Sequence, residues 1–457
     1  MKFDSRPKRV LVVAYLFPPV GGAGVQRVAK FVKYLPKHGW LPSVLTVSNP
    51  SVPLMDQSLH NDLPEDVILR HAKTFEPGYA LKKSIAAGSE SPNGSSGNSR
   101  RWLKGLARGA GNMVLQPDPQ ILWWPDALRE GTRLLDEINH DAIFVTAPPF
   151  SSFLVGTGLK RRTGLPLVLD YRDEWGISNA YWENKQNVPF SRRLQARMQR
   201  HVVRCADRLI ATTRSSANSL ARVVNDAGSA AKVTHIYNGY DADDFRTPPS
   251  NEKRHGRRFR LAYVGTLWNL TSVEPLVKGV QLLTAESPEL AGRLELVFAG
   301  RRTAPQEALL SALDSLPCSV VRQPYLDHGA AVDLMRSADG LCLLLSDVPH
   351  AGRVVPAKVF EYMAAQKPII SIAPRGEVSE LLRRCPAAHV CTPENPLEIS
   401  KTLAQEIERH QHGTPATFAG WDVTAFERRT LTGQLTDLLN SLSGTQSPEL
   451  SDQLAVV

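Results

Sequence analysis

The chain has 457 residues, enough for two or three domains with sizeable cores, and 42% hydrophobic with 22% charged residues is the composition of a globular α/β protein, not of a fibrous or disordered one. A formal charge of +9 favours anionic partners such as nucleotides, phospholipid head groups or nucleic acid, and leaves the fold open. The five cysteines, Cys205, Cys318, Cys342, Cys385 and Cys391, are scattered and form no Cys-x-x-Cys, which argues for a reducing compartment and against a disulfide framework or a zinc site.

At the start, Lys8 and Arg9 precede the apolar run from Val10 to Phe17 and imitate a signal peptide. Pro18-Pro19 and Gly21-Gly22 stand where a cleavage site would be, so the run reads as a first buried strand over 10–14 and a loop. No stretch approaches the roughly 18 apolar residues of a membrane span. The expectation is a cytoplasmic protein whose membrane contact, if any, is peripheral and at the inner face. A helix then starts near Val25 with Val28, Phe31, Val32 and Leu35 on one face, and a strand covers 44–47, completing a βαβ unit. Gly21, Gly22 and Gly24 let a ligand approach the N–H groups at the helix start. Gly22-x-Gly24 is not a full dinucleotide fingerprint, because Arg27 stands where the third glycine would be.

Residues 85–100, rich in Ser, Gly and Asn, predict a mobile insertion. The following Arg100-Arg101-Trp102-Leu103-Lys104-Gly105-Leu106-Ala107-Arg108 suits either a solvated basic helix or an anionic membrane surface. Ile121-Leu122-Trp123-Trp124-Pro125 predicts a buried aromatic cluster ahead of a helix. Strands over 142–145 and 165–169 follow, and Asp170-Tyr171-Arg172-Asp173-Glu174-Trp175 sits at the C-terminal end of the second, the edge where open α/β sheets place ligands. Arg172 and Asp173 also suit a buried Arg–Asp pair closing the strand end. Arg193, Arg197, Arg200 and Arg204 read as a wet helix face rather than a nucleic-acid patch. Strands over 208–211 and 233–236 complete the half. Asp241-Ala242-Asp243 resembles a metal-binding Asp-x-Asp but follows an Asn-Gly turn and reads as a shaping element.

A polar stretch over 246–258 is the expected linker between a domain at 1–245 and a second at 259–420. The second half repeats the alternation, with strands over 261–264, 294–298, 319–321, 340–345, 369–372 and 389–391. A long amphipathic helix covers 426–442, within a closing segment at 421–442, and 443–457 form a tail. Gly265, followed by Thr266, and Gly300, followed by Arg301 and Arg302, each sit just past a strand. A side chain there would block close backbone approach, and the arginines match phosphate. Gln323-Pro324-Tyr325 offers a wall to a base. In Arg353-Val-Val-Pro-Ala-Lys-Val-Phe-Glu-Tyr-Met-Ala-Ala-Gln-Lys-Pro-Ile-Ile, Pro356 fits a first helical turn, and Val359, Phe360, Met363 and Ala364 make an apolar face. Lys358 at the helix mouth and Glu361 one turn deeper suit a nucleotide, the cation toward pyrophosphate and the carboxylate toward ribose. They equally suit a surface Lys–Glu pair.

Assembled, these motifs resemble a GT-B glycosyltransferase of the family 4 type (glycosyl transferases group 1). The resemblance rests on Phe17-Pro18-Pro19-x-Gly21-Gly22-x-Gly24, Asp170-x-Arg172-Asp173-x-Trp175, Asn238-Gly239-x-Asp241, Tyr263-x-Gly265-Thr266-Leu267, Phe298-x-Gly300 and Pro356-x-Lys358-x-Phe360-Glu361-Tyr362, and covers most of residues 8–442. It implies two doubly wound, Rossmann-like α/β domains facing across a cleft, the C-terminal one holding a nucleotide-sugar and the N-terminal one the acceptor. It implies a last helix that crosses back to the first domain. The implied activity is hexosyl-type transfer from a nucleoside-diphosphate donor to a glycan or lipid-linked acceptor in surface polysaccharide assembly, retaining, with no cofactor and no metal. The expected donor-binding residues are Gly265, Thr266, Gly300, Arg301, Tyr325, Arg353, Lys358 and Glu361. The expected catalytic residues are Asp173, Arg172, Arg301 and Lys358, with Gly21, Gly22 and Gly24 as the acceptor-side loop. The partners are a donor, an acceptor and an anionic membrane at its periphery, with no nucleic acid. Two departures stand out: Arg353 where the family often has a donor-sugar Glu, and Thr266 and Thr271 where it often has an Arg and a Lys on the diphosphate. Arg301, Arg353 and Lys358 are the expected substitutes. The rival readings are an epimerase-like GT-B enzyme, a nucleotide-sugar-binding scaffold without chemistry and, more distantly, a dinucleotide oxidoreductase.

Overall fold

The computed structural model describes residues 6–52, 54–78, 115–176, 189–246 and 258–443. The insertion expected at 85–100, the basic segment at 100–108, nearly all of the 246–258 stretch and the tail beyond Ser443 lie outside the described residues. The chain forms two compact units: one holds residues up to Thr212, Ala217–Ile236 and those from Arg429 onward, and the other holds Thr213–Ser216 and Tyr237–Arg428.

The first unit is built on a parallel sheet of β1 (Lys8–Val13), β2 (Trp40–Val47), β3 (Ile68–Ala72), β4 (Ala142–Ala147), β5 (Leu167–Tyr171), β6 (Arg208–Ala211) and β7 (Lys232–His235). Their order is β3-β2-β1-β4-β5-β6-β7. Alternate residues of β1 feed opposite cores, which is why the strand reads as an unbroken apolar run. Leu11 and Val13 pack with Leu45, Val145 and Leu169, while Val10 and Val12 pack with Val28, Phe31 and Val32 of the Ala23–Tyr34 helix. β3 was not anticipated: Ile-Leu-Arg-His-Ala is an edge strand whose first four residues keep partial or full exposure, so neither an apolar run nor clean alternation marks it. Of the expected aromatic cluster, Trp123 is buried edge-on against Tyr15, with centroids 5.5 Å apart, whereas Trp124 is exposed. The Arg428–Leu442 helix lays Leu431, Leu435 and Leu439 into the same core as Val10 and Val12, and Lys8 Nζ donates to Asn440 Oδ1 at 2.8 Å.

Arg27 ties three elements of this unit. Its Nη2 lies 2.9 Å from Asp170 Oδ1, its Nε donates to both carboxylate oxygens at 3.2 and 3.1 Å, and Thr146 Oγ1 donates to Asp170 Oδ2 at 2.8 Å. The Phe31 ring covers the guanidinium at 4.8 Å. The side chains of Arg27 and Asp170 are 1% and 0% exposed.

The second unit carries β8 (Phe259–Val264), β9 (Leu294–Ala299), β10 (Ser319–Gln323), β11 (Gly340–Leu344), β12 (Ile369–Ile372) and β13 (Ala388–Cys391), parallel and ordered β10-β9-β8-β11-β12-β13. Its boundary falls after Ile236, ahead of the 246–258 stretch, because the Tyr240 N–H donates to the Phe426 carbonyl at 3.1 Å and Arg428 N–H returns to Tyr240 at 2.8 Å. Strand order reverses between β1 and β4 in one sheet and between β8 and β11 in the other. In doubly wound sheets, ligands collect beyond the strand ends at such points.

Breaking the Arg27–Asp170 pair leaves a buried charge without its partner. Asp170→Ala should cost about 3–5 kcal/mol, and the Arg27→Met/Asp170→Ala double variant should recover most of it, measured by urea denaturation with hydrogen exchange of β1 and β5.

Candidate functional site

At the switch point of the second unit two glycines cross at backbone distance. Gly265 follows β8 with φ +139° and Gly300 follows β9 with φ +133°, a region L side chains rarely adopt. A Cβ on Gly300 would lie 2.2 Å from the Gly265 carbonyl oxygen, and one on Gly265 would lie 2.5 Å from Lys358 Nζ. The two loops stay zipped beyond the strands, since Gly265 N–H donates to Ala299 at 2.8 Å, Leu267 N–H to Arg301 at 2.8 Å and Thr303 N–H to Leu267 at 3.1 Å. Lys358 comes from the Lys358–Ala364 helix, which begins two residues beyond Pro356; the Pro356 carbonyl accepts from Val359 N–H at 3.0 Å. Its ammonium lies 3.9 Å from the centroid of the Tyr263 ring, a cation–π seat that holds the charge at the crossing without neutralising it.

The two arginines after Gly300 have different fates. Arg302 is spent on structure: it donates to the carbonyls of Gly300 at 2.9 Å and Gln323 at 2.7 Å and to Glu307 at 2.7 Å. Arg301 is exposed and makes no side-chain bond among the described residues. Gly300, Arg301, Pro324 and Tyr325 line an open groove of about 700 Å³ together with Ala304, Glu307, Ala308 and Ser311. Glu361 lies one turn from Lys358, and its carboxylate has no hydrogen-bond partner among the described residues. Burial pushes this carboxyl above the ordinary value; His328, Arg428 and Lys358 oppose the push and Asp244 reinforces it. His328 itself is engaged, with Nε2 2.7 Å from Asp244 Oδ2.

Thr266 and Thr271 form a neutral turn in place of a basic pair: the Thr266 carbonyl accepts from Thr271 Oγ1 at 2.7 Å and from the Tyr263 hydroxyl at 2.9 Å. The Arg353 carbonyl accepts from Thr213 Oγ1 at 2.9 Å. Gly265, Gly300 and Lys358 are thus brought into contact, and Gly300, Arg301 and Tyr325 share the groove.

Among the first unit's residues, Gly22 precedes the Ala23–Tyr34 helix with φ +106° and no side chain caps that helix. A Cβ on Gly21 would lie 2.9 Å from Leu54 Cγ, and one on Gly24 would lie 2.9 Å from Arg172 Nη1. Arg172 is 9% exposed; its Nη2 donates to the Pro148 carbonyl, while Nε and Nη1 have no partner. Asp173 is exposed, and no ion pair joins it to Arg172. Surrounding protein pushes its carboxyl upward and Arg172 opposes the push; because the side chain stays open to water, solvation offsets most of it. The buried Arg–Asp pair considered for Arg172 and Asp173 is therefore not formed between them. The pair at this strand end is Arg27–Asp170.

Two family models match the chain, a glycosyl transferase 4-like domain over residues 21–239 and glycosyl transferases group 1 over residues 258–409. The chain belongs to the group 1 glycosyltransferases. Solved structures similar to this glycosyltransferase have the GT-B fold. Anabaena HepE in complex with UDP and glucose is 16% identical with a TM-score of 0.62, covering 95% of this chain and 100% of that one. The α,α-trehalose 6-phosphate synthase from Burkholderia multivorans is 12% identical with a TM-score of 0.59, covering 96% and 99%. An E. coli trehalose-6-phosphate protein bound with UDP-2-fluoro glucose is 13% identical with a TM-score of 0.57, covering 94% and 99%. No curated protein matches the chain significantly. Among the described residues of the glycosyltransferase no helix is long and apolar enough to cross a membrane.

Sequence reasoning missed the role of Tyr263 as the seat for Lys358 and of Arg27 as the partner of Asp170, because each contact joins residues far apart in the chain. The only local signal was that Tyr263 stands two residues before Gly265 on a strand that ends at the ligand edge.

Two outcomes follow for this glycosyltransferase. Gly300→Ala places a methyl against the Gly265 backbone at positive φ and should destabilise the second unit by about 2 kcal/mol or more, seen as a lower unfolding temperature of that unit. For Glu361 the folded-state carboxyl holds its proton more tightly than the unfolded chain does, so its contribution to stability falls as pH rises from the ordinary glutamate range through the raised value. Glu361→Gln should remove that dependence, and its stability relative to the natural protein should grow from pH 4 to pH 8 in a denaturation series.

Proposed function

We propose that the second unit binds a nucleoside-diphosphate sugar and that the chain transfers the sugar to a hydroxyl of a glycan or lipid-linked acceptor held by the first unit. The observation that carries this reading is the Lys358 ammonium held over the Gly265–Gly300 crossing, beside a groove flanked by the unpaired Arg301. The UDP, UDP-glucose and UDP-2-fluoro glucose in similar structures support the donor class. The base stacks in the groove at Tyr325. The Glu361 carboxylate, raised in pKa and without a partner, accepts from ribose hydroxyls, which relieves its burial. The diphosphate rests against the backbone of Gly265, Thr266 and Gly300.

In the transition state, negative charge grows on the leaving diphosphate as the bond to the anomeric carbon breaks. Lys358 and Arg301, with Arg353 as a third cation at this edge, stabilise that charge, the part a metal plays in other transferases. Metal independence is proposed on these cations, and retention of configuration on the family resemblance. Asp173, exposed and acidic, accepts the proton of the acceptor hydroxyl; Arg172 beside it and Gly21, Gly22 and Gly24 frame the acceptor. Surface polysaccharide assembly on the cytoplasmic side, with peripheral contact to an anionic membrane, is the setting this reading implies. The neutral Thr266–Thr271 turn favours a second reading, donor binding without turnover.

A nucleoside diphosphate at a hundred times its dissociation constant should stabilise the protein by about 2.7 kcal/mol, and Glu361→Ala should lose that effect. Lys358→Met should lower kcat by roughly 10²–10³-fold with the fold intact. Absence of stabilisation by every nucleoside diphosphate would overturn the donor assignment. Stabilisation without transfer to any acceptor would favour the second reading, and an altered free sugar would point to epimerase-like chemistry.

A further inference from the structure

Several cations of the first unit are spent on ion pairs. Lys30 and Lys33 share Asp62, Arg70 meets Glu130 and Glu137, Arg129 meets Asp126 and Lys160 meets Asp207. By contrast, the Pro189–Cys205 helix carries five arginines and no acid in its 17 residues. All five are exposed, and none makes an ion pair among the described residues. Arg200 and Arg204 bond only backbone carbonyls, of Ala196 at 3.4 Å and Ala227 at 2.6 Å, which leaves their charge intact. Arg193, Arg197, Arg200 and Arg204 recur at spacings of four, three and four residues, so they form one stripe along the helix. Ser191, Gln195, Val202 and Val203 are buried on its other side.

The stripe lies in a layer of helices on one face of the sheet. Leu128 of the Trp124–Glu137 helix, Val155 and Leu159 of the Ser151–Thr163 helix, and Val202 and Val203 share one core. The Ser151–Thr163 helix also has no acid, and it exposes Arg161 and Arg162. Three large aromatic side chains stand out of this layer at the end where β4 and β5 finish: Phe75, Trp124 and Phe190 are 70%, 36% and 54% exposed. Phe190 belongs to the first turn of the arginine helix, and Ser191 beside it accepts from Gln116 Nε2 at 3.3 Å. The Trp124 indole N–H donates to the Leu154 carbonyl of the next helix at 3.2 Å, and Phe75 N–H donates to the Leu122 carbonyl at 3.4 Å. These bonds place the three rings on adjoining segments. Exposed rings beside unneutralised arginines match an anionic lipid surface, where rings seat at the headgroup level and guanidinium groups meet phosphates. A nucleic acid duplex would engage the arginines and leave the rings in water.

We propose that the outer face of the Ser151–Thr163 and Pro189–Cys205 helices, with Phe75, Trp124 and Phe190 at its rim, is the surface by which the protein docks on an anionic membrane. This deepens the peripheral-membrane setting of the proposed function and rests on that setting, not on the donor site. Because the rings lie at the end of the layer where β4 and β5 finish, docking sets the acceptor-side strand ends of the first unit beside the lipid headgroups, where a lipid-linked acceptor emerges.

The test is co-sedimentation of the full-length protein with phosphatidylcholine vesicles, with and without phosphatidylglycerol. Binding should require phosphatidylglycerol. The Arg193→Gln/Arg197→Gln/Arg200→Gln variant keeps the bond from Arg204 to Ala227 and should melt as the natural protein does, because the three side chains are exposed. Its partition onto phosphatidylglycerol vesicles should fall roughly a hundredfold, about fivefold for each arginine. Phe190→Ser should lower the fraction still bound at high salt, because screening removes the charge attraction and leaves ring insertion. The basic segment at 100–108 is the competing candidate, so an Arg100→Gln/Arg101→Gln/Lys104→Gln/Arg108→Gln variant runs alongside. Binding lost in that variant and kept in the three-arginine variant would overturn the assignment to this face. No vesicle binding, or equal binding with and without phosphatidylglycerol, would overturn it too, as would capture of a nucleic acid by the stripe in a protein that ignores vesicles. Binding abolished by salt and indifferent to Phe190→Ser would reduce the face to general charge attraction and overturn its aromatic rim. Stabilisation by a nucleoside diphosphate should be unchanged in the three-arginine variant; its absence from natural protein and variant alike bears on the second unit alone and leaves the vesicle result standing.

Discussion

The contact between the Gly265 and Gly300 backbones is the constraint on which the second unit's site depends. Two strand ends can cross this closely only where neither carries a Cβ and both accept positive φ. The crossing removes side chains from the place where a ligand must approach backbone, and it leaves room for one group, the Lys358 ammonium. Tyr263 completes the arrangement by offering its ring face in place of a carboxylate. A carboxylate would have bound the lysine more tightly and cancelled its charge; the ring positions the cation and leaves its field available.

The same economy governs the neighbouring arginines. Arg302 is consumed by the carbonyls of Gly300 and Gln323, which locks the loops after β9 and β10 together, and Arg301 is left unpaired at the groove. Thr266 and Thr271 hold their turn through neutral hydrogen bonds. At this edge Lys358, seated on the Tyr263 ring, and the exposed Arg301 present positive charge beside a polar but uncharged turn. Glu361 adds a half-buried carboxylate without a hydrogen-bond partner among the described residues, the kind of local cost that persists where a ligand supplies the missing contact.

The first unit solves the parallel problem with a buried ion pair. Arg27 on the first helix reaches Asp170 at the end of β5, and Thr146 of β4 satisfies the remaining lone pair. This pair sets the helix against the sheet and leaves Arg172, two residues on, as an unmatched cation at the helix mouth. A pattern search for glycine fingerprints treats Arg27 as a defect in the motif. In the folded unit it is the residue that organises the strand ends.

Much of this was legible in the chain. Unbroken apolar runs predicted the buried parallel strands, since a strand covered on both faces needs no polar positions, and β3 escaped because an edge strand does. The glycines after β8 and β9 and the Lys-x-x-Glu spacing marked the site, because close backbone approach and one-turn separation are local demands. Pairings were not legible. That Asp170 binds Arg27 and not Arg172, that Arg302 is structural while Arg301 is not, and that Tyr263 seats Lys358 are decided by which side chains the sheet order brings within 3 to 4 Å. The sequence alone determined the two α/β halves, the family and the identity of the residues at the ligand edge, because these follow from periodicity and local sterics. Only the tertiary structure decided which charges are spent on folding and which remain for a ligand, because pairing is a property of distance in space.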